Sequence, residues 1–320
     1  ALAYAAGWQR LGHDVYVMEY VGRGRCVNKQ GEPVTFTEWE GRSHFETAAK
    51  FYGLWPKCCL IYKQGEATYG MSYNDAVAIA KKSDLIITRS GQIHKIPEIF
   101  ESPKRRAFFD GNPGNTQMLF HQHEEDHDPL DQYDFLFTLG LNIGTKDCSI
   151  PTDGLHWRPL PRPVLLPMWP KNFSLYCQRF TTISTWKGRG TFAWQGIHSG
   201  EKADNWLRYL TLPEKSKQAL EIALRMGTST NESDRLLFLD NGWVLSDPNQ
   251  LQTFEDYRTF IGQSRAEFSI AHNRYVEFNT GWFSDRSAVY LASGKPVLVQ
   301  STGIENHLPT GHGLLTFTNL

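Results

Sequence analysis

Asn279-Thr-Gly-Trp-Phe-Ser-Asp-Arg-Ser-Ala-Val-Tyr-Leu-Ala-Ser-Gly-Lys-Pro-Val-Leu-Val-Gln-Ser-Thr-Gly303 is the stretch whose reading decides the fold. Ser284 is placed to cap a helix, and Asp285 in the first turn complements the helix dipole. Ala288, Leu291 and Ala292 recur at helical spacing. Gly294 suits the left-handed residue that ends a helix, and Pro296 blocks its continuation. Val297-Leu298-Val299 is apolar on both sides, the pattern of a strand within a parallel sheet. The stretch predicts a loop, a capped helix, a buried strand and a second glycine loop. A helix start facing the carboxyl ends of parallel strands is a natural anion site.

Working outward, the same alternation recurs. A helix ends at Gly12, and Asp14-Val-Tyr-Val-Met-Glu19 follows as a strand. A helix near Tyr73–Lys82 precedes strands at Asp84–Thr88, Lys104–Asp110 and Tyr133–Thr138, each stopping in polar or glycine residues. Beyond a proline-rich stretch at 151–170, Phe180–Ser184 opens a second α/β series. There we expect helices at Lys202–Tyr209 and Pro213–Met226, and strands near Leu236–Leu239 and Glu267–Ala271. The predicted class is α/β with two Rossmann-like domains facing across a cleft. The expected boundaries are 1–158, a proline-rich linker at 159–172, and 173–320. The first strand of the N-terminal sheet and a closing C-terminal helix are not found, so the chain reads as a piece of a longer gene.

The bulk properties narrow the function. In 320 residues, 40% are hydrophobic and the net charge is −1, which argues against an electrostatic nucleic-acid binder. No apolar run is long enough to span a bilayer, so any membrane association is expected to be peripheral. Five cysteines, two of them adjacent, do not suggest a disulfide framework, and the cytoplasm is the expected compartment.

Asp110-Gly-Asn-Pro-Gly-Asn-Thr-Gln117, Asn142-Ile-Gly144, Cys148-Ser-Ile-Pro-Thr152, Gly281–Ser287, Ala292-Ser-Gly-Lys-Pro-Val-Leu-Val299 and Thr302-Gly-Ile-Glu305 together resemble glycosyltransferases of the GT-B fold, of a bacterial group 1 type. The resemblance implies transfer of a sugar from a UDP- or GDP-sugar donor to an unidentified acceptor, with no metal or other cofactor. Two glutamates that commonly bind the donor in retaining members fall on Gly281 and Val289 here, so recognition by that pair is lost. Two other readings therefore stay open, a non-catalytic nucleotide-sugar-binding module and a nucleotide-sugar epimerase or hydrolase.

Within that frame Ser284, Asp285, Arg286 and Ser287 are the expected diphosphate site, with Arg286 either a phosphate ligand or half of a surface ion pair with a nearby carboxylate. Asp285 either accepts from sugar hydroxyls or serves only the helix dipole. Trp186, Lys187 and Arg189 form a basic glycine loop after a strand, and Trp282 can stack on the donor. Gly303 and Glu305 belong to the last donor loop. In the first half, Asp110 at a strand end is the candidate general base, or else a turn-forming Asp. Arg89, Ser90, Asn112, Thr116 and Gln117 lie at neighbouring strand ends as acceptor or cleft residues. His121-Gln-His123-Glu-Glu-Asp-His127-Asp128 carries metal-ligating types, but reads as a solvated loop without a second ligand cluster.

Overall fold

The computed structural model describes residues 1–22, 24–89, 92–124, 127–187, 190–226 and 232–319. It is a mixed α/β protein whose chain divides into two compact units, 1–138 with 153–158 and 139–152 with 159–320. The segment 139–152, which the sequence reading places in the first half, thus belongs to the second unit. Among the described residues no helix is long and apolar enough to cross a membrane.

The first unit carries two sheets. Strands β1 (Val17–Val21), β2 (Cys58–Tyr62) and β3 (Ala67–Gly70) form one, with β1 parallel to β2 and β3 antiparallel to it. Strands β4 (Leu85–Thr88), β5 (Arg105–Asp110), β6 (Phe135–Thr138) and β7 (Trp157–Pro159) form the other in chain order. Strands β4, β5 and β6 run parallel and are joined by helical crossovers, as parallel pairing requires. Successive residues of a strand point to opposite faces. Phe109 accordingly meets Tyr4 and Trp8 of the helix Leu2–Arg10, while Phe108 meets Tyr133 and Trp157. Helix Tyr73–Lys82 is capped by Ser72, whose side chain accepts from the Asp75 amide.

The second unit is built on six parallel strands, β8 (Phe180–Thr185), β11 (Leu220–Arg225), β12 (Val244–Ser246), β13 (Ala266–Ser269), β14 (Val297–Gln300) and β15 (Leu314–Phe317). A small antiparallel hairpin, β9 (Phe192–Trp194) with β10 (Ile197–Ser199), follows β8. The spatial order β12-β11-β8-β13-β14-β15 runs outward in one direction from β8 and then in the other from β13. An aromatic core of Trp186, Trp206, Phe238 and Trp243 and a second cluster of Trp169, Phe283, Tyr290 and Val297 hold the unit together.

Two expected elements differ. The helix foreseen at Pro213–Met226 is a short helix, Leu212–Ser216, followed by β11. Lys217 takes a left-handed conformation with φ of 53°, which stops the helix and turns the chain into the sheet. The strand foreseen at Leu236–Leu239 is part of helix Glu232–Asp240, with Glu232 and Asp234 in its first turn. Short apolar runs fit either period, and pairing of β11 between β8 and β12 decides this one.

Candidate functional site

The carboxyl ends of the second unit's strands carry the expected donor residues. Helix Asp285–Ala292 begins with Ser284, whose Oγ accepts from the Arg286 amide at 3.2 Å. Asp285 is exposed and its carboxylate accepts from the same amide at 3.1 Å. Trp282 is half-buried, its ring stacked on Tyr275 with centroids 4.6 Å apart. Glu305 is exposed and accepts from Ser301 Oγ. Gly303 has φ of +80°, and a Cβ there would lie 2.3 Å from Asn279 Oδ1 and 2.4 Å from Asn142 Nδ2. Only glycine fits this crossing.

Those short approaches explain several of the quoted motifs. Asn142 donates from its side chain to the Asn279 carbonyl at 2.8 Å, and its Oδ1 lies 2.6 Å from His307 Nε2. The Asn142 amide donates to the Thr280 carbonyl, and Asn279 Nδ2 to the Asp147 carbonyl. Trp194 Nε1 donates to the Ser149 carbonyl at 2.7 Å. The motifs around 142–152, 279–282 and 302–307 are thus a single stitched knot within the second unit.

Three expected ligand residues, Arg286, Trp186 and Ser287, are turned into the interior. Arg286 forms an ion pair, but a buried one where the sequence suggested either a phosphate contact or a surface pair. Its Nε pairs with Glu267, Nη1 donates to the Ile183 carbonyl and Nη2 to Ser269 Oγ. Glu267 holds the guanidinium firmly charged against the pull of desolvation. All three guanidinium nitrogens are committed to the interior, where the sequence suggested a phosphate contact. Trp186 is buried in the aromatic core, and Ser287 is wholly buried with an Oγ that has no hydrogen-bond partner. Lys187 is partly exposed and forms an ion pair with Asp234 at 3.2 Å. Arg189 and Ser90 lie outside the described residues. One basic residue that the motifs did not single out is fully buried: Arg274, whose Nη2 donates to the Gly190 carbonyl at 3.0 Å and steadies the loop after β8.

In the first unit the ends of β4, β5 and β6 gather a second set. Asp110 is completely buried. Its Oδ1 accepts from the Asn112 amide at 2.8 Å and Thr116 Oγ1 at 2.7 Å, and its Oδ2 from Gln117 Nε2 at 3.0 Å and Thr138 Oγ1 at 2.8 Å. Asn112, Thr116 and Gln117, expected as acceptor contacts, are therefore the partners that fix Asp110. Arg89 is exposed, with Nε 3.5 Å from where a Cβ on Gly111 would sit.

Asp128 is a residue that sequence reasoning missed. It ends the charged run taken for a solvated loop, yet it is half-buried, with Oδ1 3.9 Å from His94 Nδ1. Burial and the nearby charge of Asp110 push its carboxyl up to about 7. The histidines of that run lie apart in role. His121 Nδ1 is 2.7 Å from Asp153 Oδ1, and His127 Nδ1 meets the Glu124 carbonyl. Among the described residues no group of three His, Cys, Asp or Glu is arranged to hold a metal ion.

Known families offer no match. A scan against family models finds none, and a search of curated proteins finds no similar one.

Proposed function

We propose that this chain takes part in glycosyl transfer from a nucleotide-diphosphate sugar, with the second unit holding the donor and the first unit serving the acceptor. The reading takes the two units as Rossmann-like domains of the GT-B type. One observation carries it: the parallel order β12-β11-β8-β13-β14-β15, which reverses between β8 and β13. Open parallel sheets bind nucleotides outside their carboxyl ends at such a reversal. Lys187 follows β8, the capped helix at Ser284 follows β13, and Gly303 and Glu305 follow β14, so all stand on that side. Helix amides and a cation can together stabilise a leaving diphosphate without a metal. Lys187 is available for this because a partly exposed ion pair to Asp234 is weak and exchangeable.

Calorimetry with UDP and GDP on the full chain tests the proposal, followed by turnover assays across a panel of nucleotide sugars. Lys187→Ala is expected to weaken diphosphate binding about tenfold, the scale of one charge-assisted contact, and Trp282→Ala to weaken it by a similar amount. A chain that binds neither nucleotide and consumes no nucleotide sugar would refute the reading. Gly281 and Val289, standing where a donor-binding glutamate pair is common, favour a second reading, a binding module without turnover. Nucleotide binding with no consumption of any sugar donor would select it.

A further inference from the structure

We infer that the amino-end edge of the second unit's sheet docks on a bilayer carrying anionic headgroups, with Phe173, Leu175 and Tyr176 entering it. The inference does not depend on the sugar-transfer reading.

Because the six strands run parallel, every loop that enters one lies at the same edge of the sheet. Those entering loops are 171–179, 217–219, 241–243, 263–265, 293–296 and 309–313. They hold Lys171, Arg179, Lys217, Arg265 and Lys295, and no Asp or Glu. Lys295 is buried, whereas the other four cations are exposed. The whole chain has a net charge of −1, so the excess belongs to this edge. Among the flanking carboxylates, Glu221 pairs with Arg179 and Glu267 with Arg286, while Glu214 and Asp240 lie in the preceding helices.

In the first of these loops Phe173, Leu175 and Tyr176 are 83%, 78% and 93% exposed, the three most exposed large apolar side chains among the described residues. Single exposed apolar side chains are ordinary on a protein surface, but a cluster within four residues marks a contact site. The loop is pinned on both sides of the cluster. The Asn172 amide donates to the Ser293 carbonyl at 3.0 Å, and the Arg265 amide to the Arg179 carbonyl at 2.9 Å. Cys177 Sγ lies 3.8 Å from the Gly262 carbonyl, and Gln178 Nε2 donates to the Leu175 carbonyl at 3.1 Å. An anchored loop thus holds these three side chains in solvent.

Charge complementarity selects the occupant. Aromatic and aliphatic side chains flanked by Lys and Arg match the headgroup boundary of an anionic bilayer. There phosphates meet the cations and the apolar groups reach the acyl chains. A second copy seated two-fold on the same edge would set these cations against each other. Docking here leaves the carboxyl ends of the strands, with Lys187, Ser284 and Gly303, at the end of the sheet away from the bilayer.

Sedimentation of the full chain with lipid vesicles is the test. At about 0.1 M salt, vesicles of phosphatidylcholine with roughly 30% phosphatidylglycerol are expected to bind at least about tenfold tighter than phosphatidylcholine alone, and about 0.5 M salt to release the chain. Lys171→Gln with Arg265→Gln is expected to weaken binding about 25-fold, at about fivefold per charge. Phe173→Ser, Leu175→Ser and Tyr176→Ser together should weaken it by at least about tenfold. Leu11→Ser, at a 76% exposed leucine of the first unit, should leave it unchanged. Circular dichroism melts establish that each variant is folded. The inference falls if wild type does not bind the anionic vesicles, or if the folded triple variant binds them like wild type. Should the triple variant misfold, unchanged binding by the Lys171 and Arg265 variant overturns it instead. It falls equally if sedimentation velocity without lipid shows a wild-type dimer that the triple variant abolishes, since the edge is then an interface between copies.

Discussion

Arg286 and Glu267 show how much a single buried pair can decide. Removing one partner of such a pair leaves an uncompensated charge in the interior and costs about 3–5 kcal/mol. Arg286→Met is therefore expected to lower the urea midpoint sharply, whereas adding Glu267→Leu should restore most of the loss. Asp110→Asn is expected to act on stability as well, because an amide nitrogen in place of one carboxylate oxygen would face donors at Gln117 and Thr138. The cost should be about 1–3 kcal/mol, read as a fall in melting temperature. Asp128 behaves oppositely. Its folded carboxyl holds a proton up to about 7 against an ordinary value of 3.8. Its contribution to stability is thus full below the unfolded value and is lost as pH rises from about 4 to 7. Asp128→Asn cannot ionise, so thermal melts should show it more stable than wild type at pH 8, on the order of 2–4 kcal/mol, and no better below pH 4.

Among the elements, the helix 285–292 and strand β14 were legible because every local signal agreed. Ser284 caps, Gly294 turns with φ of 77°, and Val297–Gln300 lies in the sheet. Strand β11 was not legible, since Leu220-Glu-Ile-Ala-Leu-Arg225 is apolar enough for a buried helix and only its neighbours make it a strand. The candidate site divides the same way. Ser284 stands where the capping signal put it. Arg286 turned inward because Glu267, nineteen residues away, is wholly buried and needs a cation, which no local pattern reveals. Asp128 was hidden by its company, a run of charges that reads as solvated, although its carboxylate is half-buried and comes within 3.9 Å of His94 Nδ1. At this scale Gly303→Ala is expected to cost at least ~2 kcal/mol, since it combines a positive φ with a Cβ inside van der Waals reach of Asn142 and Asn279. Limited proteolysis should then cut within 139–152 faster than in wild type.

At the scale of the whole molecule, the two units are discontinuous in sequence, and the chain passes from one to the other at 138/139, 152/153 and 158/159. The proline-rich stretch alone suggested one crossing. The other two depend on asparagine and glycine contacts that only the folded second unit supplies. Nucleotide titration followed by amide NMR is expected to shift signals at Lys187, Trp282 and Ser284 and to leave those of β1, β2 and β3 in place.

The stitch at Asn142 has a further consequence for how the chain is made. Its partners Asn279 and His307 lie 137 and 165 residues downstream. At a synthesis rate of roughly 5–20 residues per second, the segment 139–152 emerges from the ribosome some 7–30 s before they do. During that interval Leu141 lacks Phe283, Tyr290, Val297 and Ile304, with which it shares a core cluster in the finished protein. Vectorial synthesis therefore leaves this corner of the second unit to close only once the last strands have been made.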